Sequence, residues 1–428
     1  MNDKTLRALS VAMFAAALAA CGGGSSSSSG GGSSSSSGSS TITILYSFGG
    51  SDGANPEGTL IQGSDGNFYG TTDAGGSSAN CTGGCGTIFE FSPSSGTETV
   101  LYSFGKSGDG TSPTGLILGS DGNFYGTTVY GGSSANCTSG CGPIFEFSPS
   151  SGTETVLYSF TGSNGANPQG GLVQGGDGNL YGTTVYGGTS ENCASGCGTV
   201  FGFSPMTDTV TVLYSFTGGS DGDYPESSLV QSSDGTFYGT TNGGGGTTCS
   251  YGCGTIFEFS PMTDTVTVLY SFAGVTSDGS QPFGPIQVSD GNLYGTTLGG
   301  GASGNCAGGC GTIFEFLPGS GTETVLYSFG KSGDGVSPNG LILGSDGNFY
   351  GTTLYGGTFR GCTYKCGTIF GFAPSSGAET ILHDFGSFSG DGKTPFAGSL
   401  ILGSDGNLYG TTFYGGTDND GTFFKVAP

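Results

Sequence analysis

From residue 41 onward the apolar positions fall in short runs of five to eight residues, broken by Gly, Ser, Pro and Asp, and no stretch keeps a helical period. Four kinds of run follow one another in fixed order. Residues 115–119, 123–128, 87–91 and 97–104 exemplify runs a, b, c and d, each rich in the branched and aromatic residues that favour strands. Runs a and b are joined by a Ser-Asp-Gly type turn, with Asp-Gly at Asp65, Asp121, Asp177, Asp234, Asp290, Asp346 and Asp405. Such a dipeptide supplies the positive φ of a tight hairpin, so these aspartates are expected to be turn formers. Runs c and d are joined by Ser92-Pro93-Ser94-Ser95-Gly96 and its copies. Two hairpins make one four-stranded antiparallel sheet.

The end of run d, Tyr-Ser-Phe, recurs at Tyr46, Tyr102, Tyr158, Tyr214, Tyr270 and Tyr327, then returns as His383-Asp384-Phe385, at spacings of 56 or 57 residues. Such a period marks a propeller, a solenoid or an array. The phase decides among them. The repeat region opens with a d run at residues 41–48 and closes with a c run at 421–428, so the seventh sheet is completed only if the first strand pairs with the last. A solenoid needs capping ends, whereas complementary half-blades close a ring. The expected fold is therefore all-β, a seven-bladed β-propeller of four-stranded antiparallel blades, closed by the N-terminal strand on the C-terminal blade. Its recurrent Tyr and Phe are expected to fill the spaces between blades.

Composition adds the compartment and removes some functions. Gly numbers 93 of 428 residues and charged residues are only 9%, but 12% aromatic residues assign the glycine to turns around a packed core rather than to disorder. Acidic residues outnumber basic ones 32 to 8, which excludes nucleic acid as a partner because phosphate binding needs Lys and Arg. A single His leaves little scope for His-based catalysis or a His-rich metal site.

Residues 1–20 read as an export signal, with Lys4 and Arg7 ahead of an apolar stretch too short to span a bilayer. It ends in Leu18-Ala19-Ala20-Cys21, which resembles a bacterial lipobox and implies cleavage before Cys21, with acylation of that residue. Gly22 follows, which by the sorting rule of lipoproteins implies the outer membrane, with the lipid as partner of acylated Cys21. Residues 22–40 are only Gly and Ser and predict a flexible tether of roughly 24 Å r.m.s. span. The organisation expected is leader 1–20, anchor and tether 21–40, and propeller 41–428, with the folded part a monomer.

The b–c segments carry cysteines in i, i+4 pairs: Cys81 and Cys85, Cys137 and Cys141, Cys193 and Cys197, Cys249 and Cys253, Cys306 and Cys310, Cys362 and Cys366. In an exported chain these are expected to be local disulfides. Zinc is the rival reading, and haem attachment lacks the His that should follow the pair. The last repeat has Asp418-Asn419-Asp420 and no Cys in this place.

Repeats of Leu-Tyr-Ser-Phe, Asp-Gly-Asn-Phe-Tyr-Gly-Thr-Thr and Gly-Thr-Ile-Phe-Glu-Phe resemble the GloVer tandem repeat of choice-of-anchor bacterial surface proteins, over essentially all of residues 41–428. The resemblance implies an exported protein attached to the envelope and brings no chemistry with it.

Function is expected on the face where the long b–c segments (73–86 in the first repeat) and d–a crossovers (49–58) gather. Tyr130, Tyr186, Tyr355 and Tyr414, each in Tyr-Gly-Gly, are expected to be exposed there and to stack on a glycan; a peptide or envelope protein is the other partner expected. The crossovers carry Asp52, Asp109, Asn164, Asp221, Asp278, Asp334 and Asp391, expected as turn residues, with weak Ca²⁺ binding as the functional alternative and no other cofactor. A non-catalytic binding module is the leading expectation. Alternatives are a repetitive structural surface protein without a ligand and, since other seven-bladed proteins include them, a lyase or metal-dependent hydrolase.

Overall fold

The computed structural model describes residues 42–428 except 247, 275–276, 360, 363–365 and 397–399. The leader, Cys21 and the tether lie outside the described residues. The body is built of seven antiparallel sheets in the order a-b-c-d, blades 1 to 7 along the chain. Blade 2 shows the full form, with strands Gly110–Leu118, Phe124–Gly131, Pro143–Ser148 and Thr153–Ser159. Blade 7 takes Leu400–Leu402, Leu408–Thr412 and Thr422–Val426 from the end of the chain and Thr43–Ser47 from its beginning. The clasp is antiparallel, with Ile44 opposite Phe424 and Ser47 opposite Thr422.

Packing closes the ring as well. Between blades 7 and 1, Phe48, Leu60, Phe68, Phe89, Phe91, Tyr409 and Phe423 form one buried cluster, and the corresponding residues repeat at every other joint. Phe104 meets Phe145 edge to face at 5.1 Å between blades 1 and 2, and Phe385 meets Phe424 at 5.4 Å between blades 6 and 7. The interblade role expected of the aromatic residues is therefore what the molecule uses them for.

A bulge in each c–d pairing gives the outer strand its aim. In blade 1 the register jumps from Ile88 opposite Tyr102 to Phe89 opposite Val100, leaving Leu101 as the extra residue, and the same shift recurs in every blade. A bulge turns the strand locally. Its consequence is that the Tyr102 hydroxyl donates to Asp109 of the following crossover at 3.0 Å.

The Asp-Gly turns behave as expected. Asp121 accepts from the Asn123 N–H and the Tyr125 hydroxyl. Burial works to raise its pKa, yet these bonds together hold the carboxyl below its usual value.

One expectation about the loops is corrected. The second half of each crossover is not loop: Ala54–Pro56 pairs with the end of strand b, Ala54 opposite Ala74 and Pro56 opposite Thr72, and in blade 2 this segment runs on into strand a. The physical reason lies at the residue before the crossover proline. Asn55, Ser112, Asn167, Tyr224, Gln281, Ser337 and Thr394 all have φ between 52° and 58°, a left-handed step that carries the chain past the bulge beside Pro and back to strand b.

Candidate functional site

Those seven left-handed residues lead into the innermost strands, on the long-loop end of the channel. Each donates its backbone N–H across a blade joint to a carbonyl of the preceding b–c loop: Ser112 to Cys85, Asn167 to Cys141, Tyr224 to Cys197, Gln281 to Cys253, Ser337 to Cys310, Thr394 to Cys366 and Asn55 to Asp420. The acceptor in six blades is the second cysteine of a pair. All six pairs are disulfides, with Cα–Cα distances of 5.2–5.4 Å. The bridges therefore fix the loops whose carbonyls hold the mouth of the channel. Non-Gly residues at positive φ cost of order 1 kcal/mol or more and cluster where a site must be held.

The backbone of this mouth is repeated and its side chains are not. After each proline stand Glu57, Thr114, Gln169, Glu226, Phe283, Asn339 and Phe396, and at the end of strand b stand Asp73, Val129, Val185, Asn242, Leu298, Leu354 and Phe413. Over blades 3 and 4 the groups converge. The Tyr186 ring meets Tyr224 edge to face at 5.6 Å. Asn242 donates to Glu226 Oε2 at 3.0 Å, and Gln281 of blade 5 donates to Asn242 Oδ1 at 3.1 Å. Burial, then the neighbouring Glu226, Tyr224 and Tyr130, push the Tyr186 hydroxyl up to about 12. Burial likewise pushes Glu226 up to about 7, with Asn242 working against it and Asp223 with it. Asp223, 7% exposed, is pushed up to about 6 by burial and Asp221, and its Oδ1 has no hydrogen-bond partner.

The four tyrosines expected on this face are on it, but not all are exposed. Tyr414 is 44% exposed, whereas Tyr130, Tyr186 and Tyr355 are half-buried, Tyr186 because Tyr224 covers one edge. The positions corresponding to them are Gly243 in blade 4 and Gly299 in blade 5. A Cβ on Gly243 would come within 2.2 Å of Asp223 Oδ1, so the missing side chain makes the room that this carboxylate occupies. Sequence reasoning gave no place in the site to Asp223, Tyr224, Glu226 or Asn242. The available signal was departure from the repeat, at Tyr224 and Glu226 on either side of Pro225 and at Asn242 after the Thr-Thr of strand b.

The crossover aspartates are engaged by the protein itself. Asp109 accepts from the N–H groups of Gly105, Lys106 and Gly110 as well as from Tyr102. Asn164 and His383 keep the same joint with altered chemistry: Asn164 donates to the Tyr158 hydroxyl, and His383 Nε2 lies 3.0 Å from Asp391. Among the described residues no group of three or more His, Cys, Asp and Glu is placed to hold a metal ion.

A hollow of about 360 Å³ opens at the outer rim, lined by Tyr102, Lys106, Asp109, Glu154 and Val156. Its polar groups face one another across the joint between blades 1 and 2, with Lys106 Nζ 4.5 Å from the Tyr102 ring centre. The same arrangement recurs at Tyr327, Lys331, Asp334 and Glu379, so it belongs to the joints rather than to one site.

Comparison with known proteins supplies a fold and a family. No curated protein matches the chain. Among solved structures, the extracellular domain of a two component system from B. thetaiotaomicron superposes with a TM-score of 0.57 at 13% identity, over 91% of this chain and 41% of that one. The chain thus spans about two fifths of that domain. An oligogalacturonate lyase from Vibrio parahaemolyticus superposes with a TM-score of 0.55 at 11% identity, over 90% of this chain and 93% of that one. A second oligogalacturonate lyase, solved with manganese, gives 0.56 at 13% over 90% and 92%. At such identities the likeness is one of fold. The model of the Gloeobacter/Verrucomicrobia repeat matches residues 19–250 and again 246–428, so the chain belongs to this repeat family, as its GloVer-like motifs led one to expect.

Proposed function

We propose that this chain is a non-catalytic binding module of the cell envelope that takes a glycan at the long-loop mouth of its propeller, over blades 3 and 4. One observation carries the reading: a repeated backbone presents unlike side chains there, and Tyr186, Tyr224, Glu226, Asn242 and Gln281 gather in one sector. Aromatic faces beside a few fixed polar groups are the usual means of holding a sugar ring. The disulfides suit an oxidising compartment, and lipidation of Cys21 at the outer membrane completes the proposal.

A glycan array probed with the full chain tests it. Binding is expected to fall at least about tenfold in Tyr186→Ala and Tyr224→Ala, a loss of one anchor each. Undiminished binding in both variants, or no binding to any sugar, contradicts the proposal. The raised carboxyls Asp223 and Glu226 favour one second reading, a sugar-cleaving enzyme, which turnover of the bound glycan would reveal.

A further inference from the structure

We infer that the sugar bound over blades 3 and 4 bears a cationic amino group, held against the Tyr186 and Tyr224 rings above the carboxyls of Glu226 and Asp223. The inference rests on the glycan reading just given and specifies its ligand class. Four blades carry a tyrosine where blade 4 has Gly243, and the Asp223 carboxylate stands in the room this leaves. That carboxylate is more than nine-tenths buried, with Oδ1 unpartnered, beneath the same sector as the aromatic pair.

A buried carboxylate oxygen without a donor is costly unless the carboxyl takes up a proton or a positive group compensates it. The described residues that act on this sector supply none. The groups acting on Glu226 are Asn242 and Asp223, the group acting on Asp223 is Asp221, those acting on Tyr186 are Glu226, Tyr224 and Tyr130, and those acting on Tyr224 are Asp223 and Tyr251. None of these is basic. Tyrosine faces attract cations through their quadrupole, and a second negative group nearby adds to that attraction. A uronic acid would meet repulsion in the same place, so an acidic sugar is disfavoured. Binding of a cation favours ionised Glu226 and Asp223, hence affinity rises with pH as these carboxyls lose their protons.

The test is calorimetric titration of the full chain with three β-1,4-linked tetrasaccharides: glucosamine, N-acetylglucosamine, and glucosamine made permanently cationic by N-trimethylation. The permanently charged form isolates the protein's own titration. It is expected to bind at least about tenfold more tightly at pH 8 than at pH 5, with Glu226→Gln reducing that ratio to the part that Asp223 alone supplies. Asp223→Asn, a nearly isosteric change, is expected to lower affinity at pH 8 while leaving the thermal transition intact. Equal affinity for the acetylated and amino forms overturns the inference and leaves the glycan reading standing. Failure of all three to bind while an array finds another sugar overturns the inference alone, and failure of every sugar overturns both.

Discussion

Glu98, Glu154, Glu323 and Glu379 occupy one repeated position on the outer strand and face the tyrosine and aspartate of the preceding blade's joint. Each has a buried carboxylate oxygen without a hydrogen-bond partner. Burial, reinforced by Asp52, Asp109, Asp278 and Asp334 in turn, pushes them up to about 8, 7, 8 and 7. An acid whose folded pKa lies above its unfolded value binds more protons when folded. Its contribution is therefore full below pH about 4.5 and is lost as pH rises through 7 to 8. The transition temperature is expected to decline between pH 5 and pH 8, and the fourfold Glu→Gln variant to show a flatter profile by differential scanning calorimetry. The strand b glycine is a second residue-scale test. A Cβ on Gly126 would meet the Phe145 ring at 2.6 Å, so Gly126→Ala is expected to destabilise by about 1–3 kcal/mol in denaturant titration. At this scale the roles of Asp121 and of the recurrent Phe were legible, because turn chemistry and aromatic periodicity are local. The bond from Tyr102 to Asp109 was not, because it depends on a bulge at Leu101 that no residue type announces.

The b–c loops and the crossovers act together as one element. Each disulfide closes a five-residue loop, which constrains the unfolded chain by roughly 2 kcal/mol, and the second cysteine's carbonyl then holds the next blade's left-handed residue. Replacing Cys193 and Cys197 by Ser is expected to lower stability by up to about 2 kcal/mol. It should also speed amide exchange at Tyr224, whose N–H is bonded to the Cys197 carbonyl. Unchanged exchange at Tyr224 would separate the bridge from the mouth. The cysteine spacing showed the bridges in advance. The strand pairing of Ala54–Pro56 stayed hidden, since Pro and positive φ both argue against a strand when only the residue types are known.

Across the whole molecule, closure depends on residues at both ends of the described body. Phe423, Phe424 and Val426 serve the joints on either side of blade 7, and Thr422–Val426 also receives the N-terminal strand. A chain ending at residue 421 is expected to lose its single cooperative transition, and retention of that transition would contradict closure. The ring was legible because the phase of the repeat left one complementary strand at each end. Of the sector that breaks its symmetry only Tyr186 was legible, in its Tyr-Gly-Gly; its meeting with Glu226 and Gln281 was not, because the three come from three repeats and meet only after the ring has formed. Hydroxyl-radical footprinting of the full chain with and without a bound glycan tests this central claim most directly. Protection confined to Tyr186 and Tyr224, with Phe413 and Tyr414 of blade 7 unaltered, is the result expected. Protection spread evenly around the mouth, or confined to blade 7, would contradict it.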